Sequence, residues 1–418
     1  MPELLPFPAL RYDQTVVGDL RSVLCPPYDV VGAEERARLA RQPYNAIRLE
    51  LPDAADGEGR YRQAAQLLAD WRASGALRLD DRPMVYTYEQ AYTSPGAASD
   101  EAPRLARGFF CRLRLEQPGK GVLRHERTLR APKEDRFRLL STTRANLSPV
   151  LLLFRSPEDG AASGQLLERL AQGTPIAATT FDGVRQRLWA ADPSRSADAQ
   201  RLLDLASSGP LAIADGHHRY ETALRYRDEI GGPGCDAILC LLYDADSGGL
   251  TVLPTHRVLR GLPETESLLA GLQDLFEIEP MSDAAAIQSG LEQGSIGLWT
   301  RQGGGLLAPR RERIDPLLPA GSKALRALDV TILASALQQV LGLSTAALDE
   351  QGKLEYIKDA DQAVSLVSEG AADACFLLNP TPVQAVLEVA SAGELMPPKS
   401  TYFVPKAATG LVFNLLST

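Results

Sequence analysis

The chain is poor in the residues that most openly announce a site. Of its 418 residues five are cysteine, Cys25, Cys111, Cys235, Cys240 and Cys375. None stands in a C-x-x-C pair, which excludes the usual zinc spacing and a thioredoxin-type redox pair, and scattered thiols in odd number signal no disulfide framework. Reduced thiols are the expectation. No stretch approaches the roughly eighteen uninterrupted apolar residues that span a bilayer. The opening Met1-Pro2-Glu3-Leu4-Leu5-Pro6-Phe7 also lacks a basic segment followed by an apolar one. A cytoplasmic protein is expected, with no membrane partner. Positive charge is in deficit, since 44 Lys and Arg against 53 Asp and Glu give a net charge of −9. Broad nucleic-acid binding needs a basic face, so nucleic acid is not an expected partner, while a small basic pocket remains allowed.

What is present is a globular composition, 44% hydrophobic and 23% charged, with 34 Gly and 29 Pro spread over many loops. The length exceeds one ordinary core and predicts two or three domains. The expected fold class is α+β. Pro26-Pro27-Tyr28-Asp29 forces a turning backbone, readable as a rigid turn or as a pocket wall, before a short helix over 33–41. Asn45-Ala46-Ile47-Arg48-Leu49-Glu50-Leu51 alternates apolar and polar residues, which predicts a half-buried strand with Arg48 and Glu50 on its polar face. Helical spacing follows over 59–74. Runs over 84–92 and 105–115 predict a long hairpin with a mobile tip. Asp182-Gly183 between 176–181 and 184–189 is the strongest short hairpin signal. An apolar strand over 149–154, helices over 165–171, 197–207, 324–341, 359–369 and 382–390, and a buried strand over 237–243 beside the 211–214 strand complete the reading. The expected regions are 1–121, an N-terminal α/β region with the hairpin; 122–262, a phosphate-binding core with a mixed sheet; and 263–418, a C-terminal α/β lobe whose tail returns to the core.

The chemistry concentrates where the apolar strand Leu211-Ala212-Ile213-Ala214 delivers Asp215-Gly216-His217-His218-Arg219-Tyr220 to a helix that Gly231-Gly232-Pro233-Gly234 ends. A helix start offers unpaired N–H groups and the positive end of the helix dipole, so anions bind there. Gly216 permits close backbone approach, Asp215 can cap the helix or hold a metal ion, and His217, His218 and Arg219 add donors and positive charge. The plainer alternative is a capped helix with solvated histidines. A second candidate is Leu123-Arg124-His125-Glu126-Arg127-Thr128 with Lys133, Glu134, Asp135, Arg136 and Arg138. Here Glu126 is the expected general base or metal ligand, and Lys133 and Arg136 contact phosphate; the alternative is a solvated, salt-bridged loop. His256 is either a structural histidine or within reach of a site, and Arg257 is a candidate for a substrate carboxylate. Arg48 and Lys399 are further candidates for substrate contact. The segments from Met396 to Phe403 and from Lys406 to Gly410 combine cations and hydroxyls in turns that can close over an anionic ligand or simply dock a tail.

Cys25 to Val31, Asn45 to Leu49, His125-Glu126, Lys133 to Arg136, Asn146-Leu147-Ser148-Pro149, Ala214 to Thr222, Lys399 to Phe403 and Thr409 to Val412 together resemble, over nearly the full length, the bacterial and archaeal family called domain of unknown function 1015. A His-Glu element followed by Asp-Gly-His-His-Arg at a helix start is also similar, over about residues 122–228, to the ParB/sulfiredoxin superfamily and particularly to its free-serine kinases. That resemblance implies a ParB/sulfiredoxin-like central core flanked by N-terminal and C-terminal α/β lobes. It implies Glu126 as the catalytic base, and His125, Asp215 and His218 are the further catalytic candidates. It further implies that the turn at Asp215, Gly216, His217, His218 and Arg219 holds nucleotide phosphate and metal; ATP or ADP is the expected nucleotide, and Asp215 and Glu126 are the candidate Mg2+ ligands. The leading expectation is a kinase or phosphatase acting on a small hydroxylated metabolite or its phosphate ester, serine or phosphoserine first. The alternatives are a nucleotide-binding switch without turnover, and a structural protein with a vestigial pocket.

Overall fold

Asp182 and Gly183 both adopt positive φ, 50° and 72°, as a two-residue type I′ hairpin turn requires. They join antiparallel strands Ala177–Phe181 and Val184–Ala191. The computed structural model describes residues 1–53, 57–95, 101–126, 130–156, 161–262 and 265–416, with backbone alone for 130–132. The tip of the long hairpin, 96–100, therefore lies outside the described residues, as do Arg127 and Thr128. The chain forms two compact units: Met1–Leu123 with Thr128–Thr251 and Pro405–Thr418, and Arg124–Arg127 with Val252–Val404.

The first unit is built on a mixed sheet of nine strands among the described residues. Its order is Val122–Leu123, Leu211–Asp215, Val150–Phe154, Ala237–Asp244, Arg104–Arg114, Val85–Tyr92, Val184–Ala191 and Ala177–Phe181, with Leu4–Leu5 pairing onto Arg104–Arg114. Val150–Phe154 and Ala237–Asp244 run parallel and are buried throughout, which is why they read as unbroken apolar runs. The Ala237 strand is therefore not the neighbour of the Leu211 strand, because Val150–Phe154 lies between them. Helices Gly59–Ala73, Arg130–Thr143 and His217–Glu229 pack on one another in succession, and the last also lies on the Val150 and Ala237 strands. Tyr220, Ala223 and Leu224 supply its buried face.

The expected strand over 45–51 is instead a short helix, Ile47–Glu50. The Asn45 side chain decides this, accepting from Ile47 N at 2.9 Å while donating to the Ser22 and Leu24 carbonyls. Strand alternation also presumes a solvated polar face, yet Glu50 is 2% exposed because Arg136 and Ser148 meet it inside. The single helix expected over 324–341 is two, Lys323–Ala327 and Asp329–Leu341, parted by an extended Leu328.

The second unit has its own antiparallel sheet, in the order Phe276–Met281, Gly303–Pro309, Ile296–Thr300, Ala374–Leu377, His256–Leu259, Leu354–Ile357. Val258, Ile287, Val367, Cys375 and Leu377 form its core. All five cysteines are free, and four are buried. Among the described residues no helix is long and apolar enough to cross a membrane.

Candidate functional site: an amide-rich turn braced by arginine and lysine

The Leu211 strand ends in a bulge. Its pairing with Leu153 and Leu152 is regular through Ile213 and then shifts, so that Asp215 opposes Leu151 and Ala214 is the extra residue. Bulges re-aim side chains beside functional sites, and here the effect is to bring Asp215 to the head of the His217–Glu229 helix. Gly216 occupies the cap position at φ 91° with no side-chain cap bond. Gly216, not Asp215, therefore occupies the cap position, and it brings no capping side chain of its own. Gly216 is required twice over. Positive φ strains any other residue, and a Cβ there would lie 3.0–3.1 Å from three atoms of the Arg219 guanidinium.

Arg219 folds back across that turn with its side chain 10% exposed. One Nη donates to the Pro149 carbonyl, the other to Asp215 Oδ2 at 3.2 Å, and the buried Nε has no hydrogen-bond partner among the described residues. Lys406 Nζ stands 3.5 Å from the same carboxylate oxygen. Burial alone would raise the Asp215 pKa, but Lys406, Arg219 and His217 outweigh it and hold the carboxyl well below its ordinary range. Asp215 is thus a permanent anion that gathers two cations at a helix start.

Behind Arg219 lies a cavity of about 40 Å³ whose polar lining is Glu50, Arg136, Asn146, Ser148, Arg219 and Thr222. Glu50 accepts from Ser148 Oγ at 2.8 Å and faces Arg136 at 3.5 Å. Arg136, 6% exposed, stacks on the Tyr28 ring at 4.2 Å and also pairs with Asp135. Burial pushes the Tyr28 phenol up to about 12, against the pull of Arg219 and Arg136. Tyr28, Asp29 and Glu50 all act electrostatically on Arg219. Lys133 donates to Glu221 at 3.0 Å, and Arg48 donates to the Pro43 carbonyl at 2.7 Å. His217 is 8% exposed and His218 half-buried.

Glu126 and its neighbours belong to the second unit. The Lys399 N–H points at Glu126 Oε1 at 3.5 Å, a long contact, and Lys399 holds a left-handed φ of 57°. Such a conformation costs a non-glycine residue on the order of 1 kcal/mol or more and collects at ligand-binding segments. His125 is fully buried with Nε2 3.2 Å from Thr401 Oγ1, and its carbonyl accepts from Met396 N at 2.8 Å. Arg257 reaches the carbonyls of Pro398 and Lys399. His256 Nδ1 accepts from Leu378 N at 3.1 Å, and burial lowers its pKa to about 4.

The scattered sequence segments thus assemble into two clusters. Tyr28, Glu50, Arg136, Asn146, Ser148, Pro149, Asp215 to Arg219 and Lys406 meet in the first unit; His125, Glu126, Arg257, Lys399 and Thr401 meet in the second. Glu50 and Ser148 were not among the sequence candidates. The only signal for Glu50 was a charged residue flanked by Leu49 and Leu51, which reads equally well as an exposed face. Among the described residues no group of three or more His, Cys, Asp or Glu is placed to hold a metal.

The profile of a family described as "Protein of unknown function (DUF1015)" matches residues 4–331. No curated protein matches the chain. Among solved structures, a free serine kinase in complex with AMP is similar at 13% identity and a TM-score of 0.40, covering 73% of this chain and 95% of that one. A mutant of a free serine kinase in complex with ADP gives the same figures. A conserved hypothetical protein from Pyrococcus furiosus is similar at 15% identity and a TM-score of 0.36, covering 71% and 98%. SbnI with C-terminal truncation, from Staphylococcus aureus, is similar at 12% identity and 0.37, covering 70% and 83%.

Proposed function

The chain belongs to the DUF1015 family, and we propose that it transfers or hydrolyses a phosphoryl group on a small hydroxylated metabolite, with serine and phosphoserine the first substrates to test. One observation carries this reading: the helix start at Gly216, with no side-chain cap, has a nearly buried Arg219 laid across it and Lys406 alongside. The positive end of a helix without a side-chain cap, flanked by two cations, suits a phosphate better than any neutral ligand. A nucleotide, ATP or ADP, would place its phosphates on this turn, with His217 and His218 in the same first turn. Arg219 and Lys406 stand beside the helix start, so that charge developing on the transferred group would be met by cations already in place.

A resident metal does not fit the described residues, because the Asp215 carboxylate is already paired with Arg219 and Lys406 and no group of three or more His, Cys, Asp or Glu is placed to complete a shell. Mg2+ enters the proposal only as an ion carried in on nucleotide phosphates, where it would neutralise their charge. Glu126 is proposed as the base that takes the proton from the acceptor hydroxyl or water. Replacing Glu126 with Gln keeps the shape and removes the basicity, so turnover should fall at least about 100-fold while nucleotide binding persists. Phosphorus NMR of ATP with serine, and of phosphoserine alone, measures the first; calorimetric ADP titration measures the second. Undiminished turnover in Glu126→Gln would remove the base assignment.

A second reading has one observation in its favour. Arg124–Arg127 belongs to the second unit although the chain on either side belongs to the first. A nucleotide-binding switch could use that crossing segment, and would show nucleotide-dependent protease sensitivity without turnover of any acceptor.

A further inference from the structure

Arg257 is 3% exposed, yet no carboxylate among the described residues lies within ion-pair distance of it. Its guanidinium is held by the carbonyls of Thr255, Pro398 and Lys399 and by the Tyr356 ring, 4.6 Å from the ring centroid. Carbonyls solvate a cation without neutralising it. A buried charge left uncompensated is costly, and a ligand anion is one way to compensate it. Burial lowers the Arg257 pKa to about 10 while Tyr356, Glu126 and Asp349 act in the opposite direction. The residue therefore stays cationic at neutral pH.

The second observation is independent. Tyr356 stands directly opposite Arg257 in the antiparallel pairing, and its hydroxyl is buried with no hydrogen-bond partner among the described residues. A buried O–H donor normally finds an acceptor. The Lys399 backbone, in its left-handed conformation, ties this corner to Glu126: its carbonyl accepts from Arg257 at 3.1 Å and its N–H faces the Glu126 carboxylate.

We propose that Arg257 and Tyr356 form the subsite for the carboxylate of the acceptor, so that the substrate is a small carboxylic acid bearing a hydroxyl or a phosphate ester. The orientation rests on the reading of Glu126 as base: with the carboxylate on Arg257, the hydroxyl lies on the Glu126 side. A single planar negative charge matches a guanidinium and one O–H donor. A phosphate dianion matches less well, since Glu126 and Asp349 already act on the same cation.

Calorimetric titration of the full-length protein with matched pairs tests this. Serine is compared with ethanolamine, phosphoserine with phosphoethanolamine, and 3-phosphoglycerate with glycerol 3-phosphate. At least one acid should bind tenfold or more tightly than its carboxylate-free partner. Tyr356→Phe, which keeps the ring beneath Arg257, should reduce that preference about fivefold without changing affinity for the carboxylate-free member. Arg257→Lys should reduce it further; its thermal midpoint is measured alongside, and Tyr356→Phe decides the matter if Arg257→Lys fails to fold. Equal binding within every pair, no binding of any acid, or an unchanged preference in Tyr356→Phe would overturn the subsite. ADP titrations of the wild type and of Lys406→Met separate the two ideas. ADP binding weakened in Lys406→Met with no preference for acids sinks the subsite alone; absent ADP binding with a Tyr356-dependent preference sinks the phosphate reading alone.

Discussion

His256 is 3% exposed and its Nδ1 accepts the Leu378 N–H, so the imidazole must be neutral for that bond to exist. Burial, with Arg257 adding to it, lowers its folded pKa to about 4, against roughly 6.5 for an unfolded histidine. A depressed folded pKa means that the stabilisation is complete above the unfolded value and is lost as pH falls from 6.5 towards 4. Between pH 7 and pH 5 the second unit should lose about 2 kcal/mol from this one residue. Urea unfolding at the two pH values checks this, and His256→Asn should flatten the dependence; an equally steep loss in the variant would show that other groups cause it. Asp215 is also depressed, held by Lys406, Arg219 and His217 against the opposing effect of burial. Its contribution is present above about pH 4 and disappears only below that. The two effects therefore occupy different windows.

At the scale of the element, the head of the His217 helix depends on Gly216. Gly216→Ala forces a Cβ into the Arg219 guanidinium and places alanine at φ 91°. The backbone strain alone costs about 1–2 kcal/mol. The thermal midpoint should fall by a few degrees, and on the proposed phosphate reading ADP affinity should fall because the Arg219 guanidinium must give way by a few tenths of an ångström. A variant that melts early yet binds ADP normally would separate the glycine's structural role from any ligand role. Some elements were legible because their causes are local. Asp182-Gly183 dictates its turn through its own φ preferences, and a glycine after an apolar strand marked the helix start. Ile47–Glu50 was illegible as a helix for the opposite reason. Asn45 closes it by bonding carbonyls more than twenty residues away in sequence, and Glu50 is buried only because Arg136 and Ser148 are there to meet it.

At the scale of the whole molecule, the last described residues return to the first unit. Asn414–Leu415 pairs with Ala145–Asn146, Phe413 bonds Leu10 through both backbone groups, and Leu411, Val412, Phe413, Leu415 and Leu416 are buried. Five such side chains contribute at least about 7 kcal/mol at 1.5 kcal/mol or more each, comparable with the net stability of a typical domain. Ending the chain at Val404 should abolish cooperative unfolding of the first unit and remove Lys406 from Asp215. Circular dichroism melts and limited proteolysis would report it, and a melt within a few degrees of the full chain would contradict it. The sequence by itself determined the α+β class, the hairpin at Asp182-Gly183 and the helix start at Gly216, because periodicity and turn chemistry act over a few neighbouring residues. Only the tertiary structure decided that Lys406, almost two hundred residues further on, joins that turn, that Glu50 is internal, and that Arg257 faces Tyr356 with no carboxylate within ion-pair distance among the described residues. Charge partnerships of that kind depend on which distant segments burial brings together, and no local pattern encodes them.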